Sequence, residues 1–465
     1  MSRETMLLTL LTLTLTLLIT LPSPVDAESG GWKTIDVTST TDPYTRGVYL
    51  GKETAELYQT MRAGFSYMIL ETTGMELTFF EAKGVEIHGS HIPPALRAEL
   101  QGVADGLGVA YEEVLGWNLV PEMVGSWWPS LGASQANPSA PPLFARNSHC
   151  SAFIATGSAT ADGRIVVGHT TFLEFWEGQF YSLIVKLAYT SPNDGNVYHL
   201  SMQTAPGYVA SLTDWYVNTA GIVATETTIA GLMGYNPHGS PYFVRARDAA
   251  QNADSIESFV DILNATNSGG MAAMWLIGEV DSGRIAEFQQ GLRYTQLSIL
   301  SDGAFYGDNV PSNPQIRNLE IPYGGGWSDI RQNQGARRVV WPMLLDKHWG
   351  SITDQTALTM LADDYDPYLK RNVVSSRNIC AVNDVTMFTY MSAPSDIWAA
   401  PFYPSGSTDA KAANATMLEQ GVYWARWGRA NGMAFDTQSF FDLNPQWAWQ
   451  QPVLIDRPSQ PVVLV

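Results

Sequence analysis

Cysteine is almost missing from this chain. There are two, Cys150 and Cys380, in 465 residues. That excludes a disulfide-built scaffold and leaves room for one bridge, Cys150–Cys380, at most. No Cys-x-x-Cys pair and no His-Glu-x-x-His run occurs, and the 7 histidines are scattered, so neither a metal site nor a cofactor is expected. Basic residues are also scarce, 26 Lys and Arg against 45 Asp and Glu, for a formal net charge of −19. A surface of that sign repels phosphate backbones and excludes nucleic acid as a partner. It suits an acidic compartment, where part of the charge is neutralised. Beyond the first residues there is no apolar run long enough to cross a bilayer.

What is present begins with that first stretch. Arg3 precedes an apolar run from Leu7 to Leu21 padded with threonine, and "PSPVDA" follows with Val25 and Ala27 at small-residue positions. This reads as a secretory signal over residues 1–27. The mature protein is then exported (extracellular, periplasmic or lysosome-like) with no stable membrane anchor. An apolar fraction of 45%, with 11% aromatics, supports a large core.

The rest divides by texture. Residues 28–149 read as a mostly helical part that ends in a flexible loop. "HIPPALRAELQGVADGLGVAYEEVLGWNLV" gives two helices, the first opening after Pro93–Pro94 and stopping at "DGLG". The Pro- and Ser-rich "WWPSLGASQANPSAPPLFARNSH" reads as an exposed loop. Residues 150–465 read as a strand-rich core beginning at Cys150. "CSAFIATGSAT" and "RIVVGHTTF" flank a turn at Gly163, and further short strands follow as far as "RIAEFQQ". Helices interrupt at "PYFVRARDAAQNADSIESFVDILNAT" and "SITDQTALTMLADDY". Antiparallel strands with helices in blocks give the α+β class.

A lone thiol at a strand start, directly after a loop, suits one chemistry. A Cys, Ser or Thr that becomes an N-terminus attacks a carbonyl carbon while its own α-amine serves as base. The unperturbed amine pKa of about 7.7–8.0 fits that task near neutral pH. In the uncut chain the amine is locked in a peptide bond. The Cys150 thiol must therefore first attack the His149 carbonyl, form a thioester and let water free the two chains.

The same residues resemble a family. "CSAFIATGSATADGRIVVGHTT" resembles the mature start of phospholipase B-like proteins and of the related cysteine acyltransferase group, both N-terminal nucleophile (Ntn) hydrolases. "SLTDWYVNTAGIVATETT", "NSGGMAAMW", "LADDYDPYLKRNVVSSRNIC" and, before the nucleophile, "ELQGVADGLGVAYEEVLGWN" are similar to further family elements. The resemblance implies a four-layer αββα sandwich, two antiparallel sheets flanked by helices. It also implies a self-cleaving hydrolase that breaks an amide or ester bond of a small acyl substrate, lipid-like or not.

The resemblance makes Cys150 the nucleophile, His169 its neighbour on the returning strand, and Asp214 the holder of the new α-ammonium. Asn267 becomes an oxyanion donor, and Thr170, Thr227, Trp275 and Arg377 become substrate contacts. Two departures stand out: Thr170 follows the histidine where the family has Asn, and Ala272 and Ala273 precede Trp275 where it also tends to have Asn. They leave two rivals open, an acyltransferase with the same nucleophile and a secreted binding protein on the same fold. Among the remaining motifs, "YWARWGRANGMAFD" reads as core with its arginine heads reaching solvent, and Asn264 and Asn414 lie in N-x-T sequons.

Overall fold

The computed structural model describes residues 31–135, 150–321, 327–383 and 405–465. The signal segment and His149, the residue before the expected cut, lie outside the described residues.

Four helices open the fold: α1 (Pro43–Thr73), α2 (Leu77–His88), α3 (Pro94–Leu107) and α4 (Tyr111–Glu122). Pro94 sits in the first turn of α3, where its missing N–H costs nothing, and Gly108 at φ +74° closes that helix in the left-handed region. The α1 and α3 backbones touch through glycine. A Cβ on Gly47 would stand 2.2 Å from the Glu99 carbonyl oxygen, and one on Gly102 2.2 Å from that of Tyr44. Arg46 on α1 pairs with buried Glu99 on α3 at 2.6 Å, closing the same contact.

Ahead of the helices, β1 (Lys33–Val37) is a strand that the helical texture does not announce, and it pairs in parallel with β4 (Leu183–Thr190). The first sheet holds β1, β4 (Leu183–Thr190), β5 (Val197–Thr204), β6 (Trp215–Asn218), β7 (Ile222–Ile229), β8 (Ala272–Glu279), β9 (Arg284–Gln290) and β10 (Thr295–Leu300), in that order. All but β1 run antiparallel to their neighbours. The second sheet is antiparallel. It runs β11 (Gly303–Gly307), β2 (Cys150–Thr156), β3 (Val166–Glu174), β15 (Asp409–Asn414), β16 (Trp424–Trp427) and β17 (Val462–Leu464), with β14 (Ser405–Ser407) beside the end of β3. A two-strand ribbon, β12 (Tyr365–Asp366) and β13 (Arg371–Asn372), stands apart.

Three apolar cores set the layers. Helices α1 to α4, with α5 (Tyr242–Asn252) and α6 (Ile256–Asn264), pack on one face of the first sheet through Phe65, Trp117, Leu187 and Ile277. Ile154, Val167, Trp215 and Leu276 fill the space between the sheets. Helices α7 (Asn333–His348) and α8 (Asp354–Leu361) cover the far face of the second sheet through Trp341, Met360 and Phe153. The architecture is α+β, a four-layer αββα sandwich. Strands β2 and β3 are buried at every residue, because one face meets the other sheet and the other meets helices. That is why neither sequence shows the strict apolar/polar alternation of a half-exposed strand, and why their polar residues, His169, Thr170 and Thr171 among them, are buried as well.

Local differences from the sequence reading have local causes. Residues Trp128–Gln135 form a helix where a loop was expected, with Pro129 in its first turn. The single helix expected over "PYFVRARDAAQNADSIESFVDILNAT" is two, because Ser255 starts α6 with a capping box on Ser258. Pro342 lies inside α7, and the helical pattern there is hard to read.

Candidate active site

Cys150 is the first residue of β2, and Thr171 of β3 stands directly opposite it. Directly opposed residues in an antiparallel pair share a face. Ala152 opposes His169, which opposes Lys411 of β15, so Cys150, His169, Thr171 and Lys411 all face the inter-sheet side. Thr170 faces the other way. Its hydroxyl donates to the Asp409 carbonyl at 2.7 Å, and it does not line the cavity.

That cavity, about 210 Å³, reaches from the helical layer to Cys150 and Thr171. Its apolar wall includes Phe65 and Ile69 of α1, Trp176, and Val124 in a widened π turn over Met123–Trp127. The turn follows Pro121, which cannot donate the hydrogen bond that a regular turn requires. Asp214 enters the cavity from a loop with φ +48°, a left-handed backbone that aspartate tolerates better than most residues. Tyr242 Oη donates to its Oδ1 at 3.1 Å.

Asp214 is buried beside Glu226 of β7. Burial pushes Asp214 up to about 6. Burial and then the Asp214 carboxylate push Glu226 well above the carboxylate range, so Glu226 keeps its proton. Thr228 Oγ1 donates to Glu226 Oε1 at 2.8 Å. The Cys150 thiol is pushed up as well, by burial first and then by Glu226 and Asp214. Lys411 acts in the opposite sense on it. The lysine is fully buried, 3.2 Å from Asp409 Oδ2 and 3.3 Å from Thr171 Oγ1, with Gln203 Oε1 at 2.5 Å.

Arg337 of α7 fixes the strand start from behind. Its Nη1 donates to the Cys150 carbonyl at 2.6 Å and to Ser151 Oγ at 2.9 Å. Its Nη2 donates to Asn309 Oδ1 at 2.6 Å and its Nε to Asn333 Oδ1 at 2.9 Å. The guanidinium is consumed in placing β2 against β11 and α7.

The other sequence-derived positions fall elsewhere. His169 is buried and neutral, held well below its usual range by burial and by Lys411. Its Nε2 therefore donates to the Glu226 carbonyl at 3.1 Å and ties β3 to β7 across the sheets. Asn267 donates its amide to the Gly291 carbonyl at 2.8 Å and accepts from the Gly269 N–H, away from the cavity. Thr227 packs against Gly307 of β11. Trp275 is core, stacked with Tyr216 at 6.4 Å, and Arg377 pairs with buried Asp366 at 2.7 Å. Ala272 lines the cavity and Ala273 belongs to the helix-side core. Cys380 is free and buried in the core beside α7 and α8, and burial pushes its thiol up to about 12. The structure contains no Cys150–Cys380 bridge.

Sequence reasoning did not single out Thr171, Glu226, Arg337 or Lys411. Thr171 and Glu226 each adjoin a residue it chose. The Asp409 and Lys411 pair in "DAKAAN" could have been noticed as two opposite charges on one face of an otherwise small and apolar strand.

The family profile described as Phospholipase B matches residues 120–456, well over half of the chain. The protein belongs to the phospholipase B family. An uncharacterized protein of Archaeoglobus fulgidus is 25% identical over 209 residues, 43% of this chain and 32% of its own length. The chain thus matches about a third of that relative. Among solved structures, it is similar to a variant of conjugated bile acid hydrolase from Clostridium perfringens (12% identity, 59% of this chain and 88% of that one, TM-score 0.36). It is also similar to penicillin V acylase from Agrobacterium tumefaciens (11% identity, 59% and 82%, TM-score 0.35).

Proposed function

We propose that this protein is a self-cleaving, exported cysteine acyl hydrolase whose nucleophile is Cys150. The observation that carries the reading is the position of Cys150. It is the first residue of β2, with its side chain on a cavity that also holds Asp214 and the Thr171 hydroxyl. Attack of the thiol on the His149 carbonyl moves the amide to a thioester, and water then releases the two chains. The freed α-amine of Cys150 next takes the thiol proton as general base, and the sulfur attacks an amide or ester carbonyl of the substrate. Asp214, supported by protonated Glu226, holds the amine when it is charged. The Thr171 hydroxyl accepts from Lys411 Nζ, which leaves its own proton to donate to the oxyanion.

In the uncut chain the thiol is raised by burial and by two acids. Release of the amine supplies the base that the uncut chain lacks, so cutting and activation are one event. The cut chains stay together, because β1 pairs with β4 and the first four helices share the core of the first sheet.

Intact mass under denaturing conditions tests this, with wild type beside Cys150→Ala. The expected result is two wild-type fragments meeting at His149/Cys150 and an uncut variant. An uncut wild type at both neutral and acid pH, or a variant that is cut, overturns the reading.

A further inference from the structure

Strand β10 ends the first sheet on the side away from β1, and among the described residues no strand pairs with its outer edge. The β9–β10 register fixes which backbone groups are free. The Gly291 N–H donates to the Tyr294 carbonyl at 2.9 Å, so these two are a hydrogen-bonded pair. Alternation along the ladder then turns Gln296, Ser298 and Leu300 toward β9 and leaves the N–H and C=O groups of Thr295, Leu297 and Ile299 pointing outward. Thr295, Gln296, Leu297 and Leu300 are exposed. Sheet edges are usually guarded by charge, proline, a bulge or brevity. The edge strand β1 carries Lys33 and Asp36, and the edge strand β17 has 3 residues. "TQLSIL" has no such guard: no charged residue in a chain of net charge −19, no proline, and an unbroken register.

Such an edge accepts another extended strand, and its own residues favour a second copy of itself. We propose that two copies of this chain pair antiparallel through β10, about a two-fold axis at Leu297, and so join their first sheets into one. In that register Leu297 opposes Leu297 of the copy, and Thr295 opposes Ile299. Each outward residue thus meets an outward residue, and each such pair exchanges both of its N–H···O bonds. Gln296 opposes Ser298 and Tyr294 opposes Leu300, so the whole run from Tyr294 to Leu300 is used. An axis at Ser298 would instead set Thr295 against the turn residue Ser301. Leu297 and Ile299 stand beside Phe288 and Ala286 of β9, both in the helix-side core, so the contact extends that apolar surface across the axis. No like charges are opposed. The exposed Arg293, at the entry of one copy's strand, comes toward the exposed Asp302 at the exit of the other's, whereas a parallel pairing would bring Arg293 toward Arg293.

The test is sedimentation velocity of the full wild-type chain from about 1 to 200 µM. One strand pair falls below the roughly 1,200 Å² of a standard interface, so the expected dimer is a weak one, with a Kd of about 1–100 µM. Leu297→Lys sets two ammonium groups across the axis and should weaken the dimer at least about 10-fold. Leu443→Lys puts the same charge on an exposed residue of the helix Thr437–Leu443 and should leave the dimer unchanged. Thermal melts establish that both variants fold. Oxidised glutathione then reads the register. Leu297→Cys should give a disulfide-linked dimer, because opposed Cα atoms about 5.5 Å apart are within bridging distance. Ser298→Cys should not, because its counterpart in the copy stands diagonally, about 7–8 Å away. A wild type that stays monomeric throughout, a Leu297→Lys protein that associates as the wild type does, or linkage of Ser298→Cys in preference to Leu297→Cys overturns the proposal. Neither β10 nor Arg293 and Asp302 line the cavity at Cys150, so the result is independent of the cutting experiment.

Discussion

Cys150 and Thr171 oppose each other in register where β2 begins, and both side chains reach the same cavity. Thr170, one residue earlier, points to the helices behind the sheet and bonds the Asp409 carbonyl. The pair gives a contrast between adjacent threonines. Thr171→Val removes the proposed oxyanion donor and should slow cutting at His149/Cys150 by about 10²–10³-fold, the usual loss for one such donor. Thr170→Val should leave the cutting rate within a few-fold of wild type and lower stability by about 1 kcal/mol for one lost hydrogen bond. Timed denaturing electrophoresis gives the rate, and urea unfolding gives the stability. A fast Thr171→Val protein would remove Thr171 from the machinery.

The same parity explains how far the sequence was legible. Strands β2 to β9 follow their apolar runs closely, and the lone thiol marked the start of β2. Side-chain direction was not legible. A strand alternates faces at every residue, so an error of one position moves a residue to the wrong side of the sheet. Thr170 and Thr227 were chosen where Thr171, and Glu226 with Thr228, face the site chemistry. Fixing the parity needs the length of the excursion between β2 and β3. "ADGR" suggests a tight hairpin there, but residues 157–165 form a wider loop with a 3-10 turn. Lys411 comes to the cavity's edge from more than two hundred residues downstream through β15–β3 pairing, a long-range contact that no local pattern encodes.

Lys411 and Asp409 form a buried ion pair with neither side chain exposed. Asp409 also accepts from the Thr171 N–H at 3.0 Å and from Gln203 at 3.0 Å, so it holds the strand that carries Thr171. Lys411→Met leaves that carboxylate buried without its cation and should cost about 3–5 kcal/mol in urea unfolding. Lys411→Met combined with Asp409→Asn removes both charges and should recover more than half of the loss. Strict additivity of the two single changes would mean that the pair contributes no coupling.

Stability should fall as pH rises from about 6.5 to 8. Burial raises Glu177 to about 7 and Glu174 to about 8. In the unfolded chain both groups titrate near 4.3, so through this window the folded state binds more protons than the unfolded state. The slope of unfolding free energy against pH is therefore negative here, and the penalty for charging the two buried acids is complete only above about 8. Below about 6.5 the buried histidines act in the opposite direction. His169 and His88 are held below their usual range by burial, so there the unfolded chain takes up protons that the folded one does not. Urea midpoints at pH 6.5, 7.2 and 8.0 should decline in that order. Glu177→Gln should flatten the decline, because it removes one of the buried acids, Glu226 among them, that hold a proton in the folded chain and not in the unfolded one. A midpoint that rises toward pH 8 would mean that Glu177 and Glu174 are hydrated rather than buried.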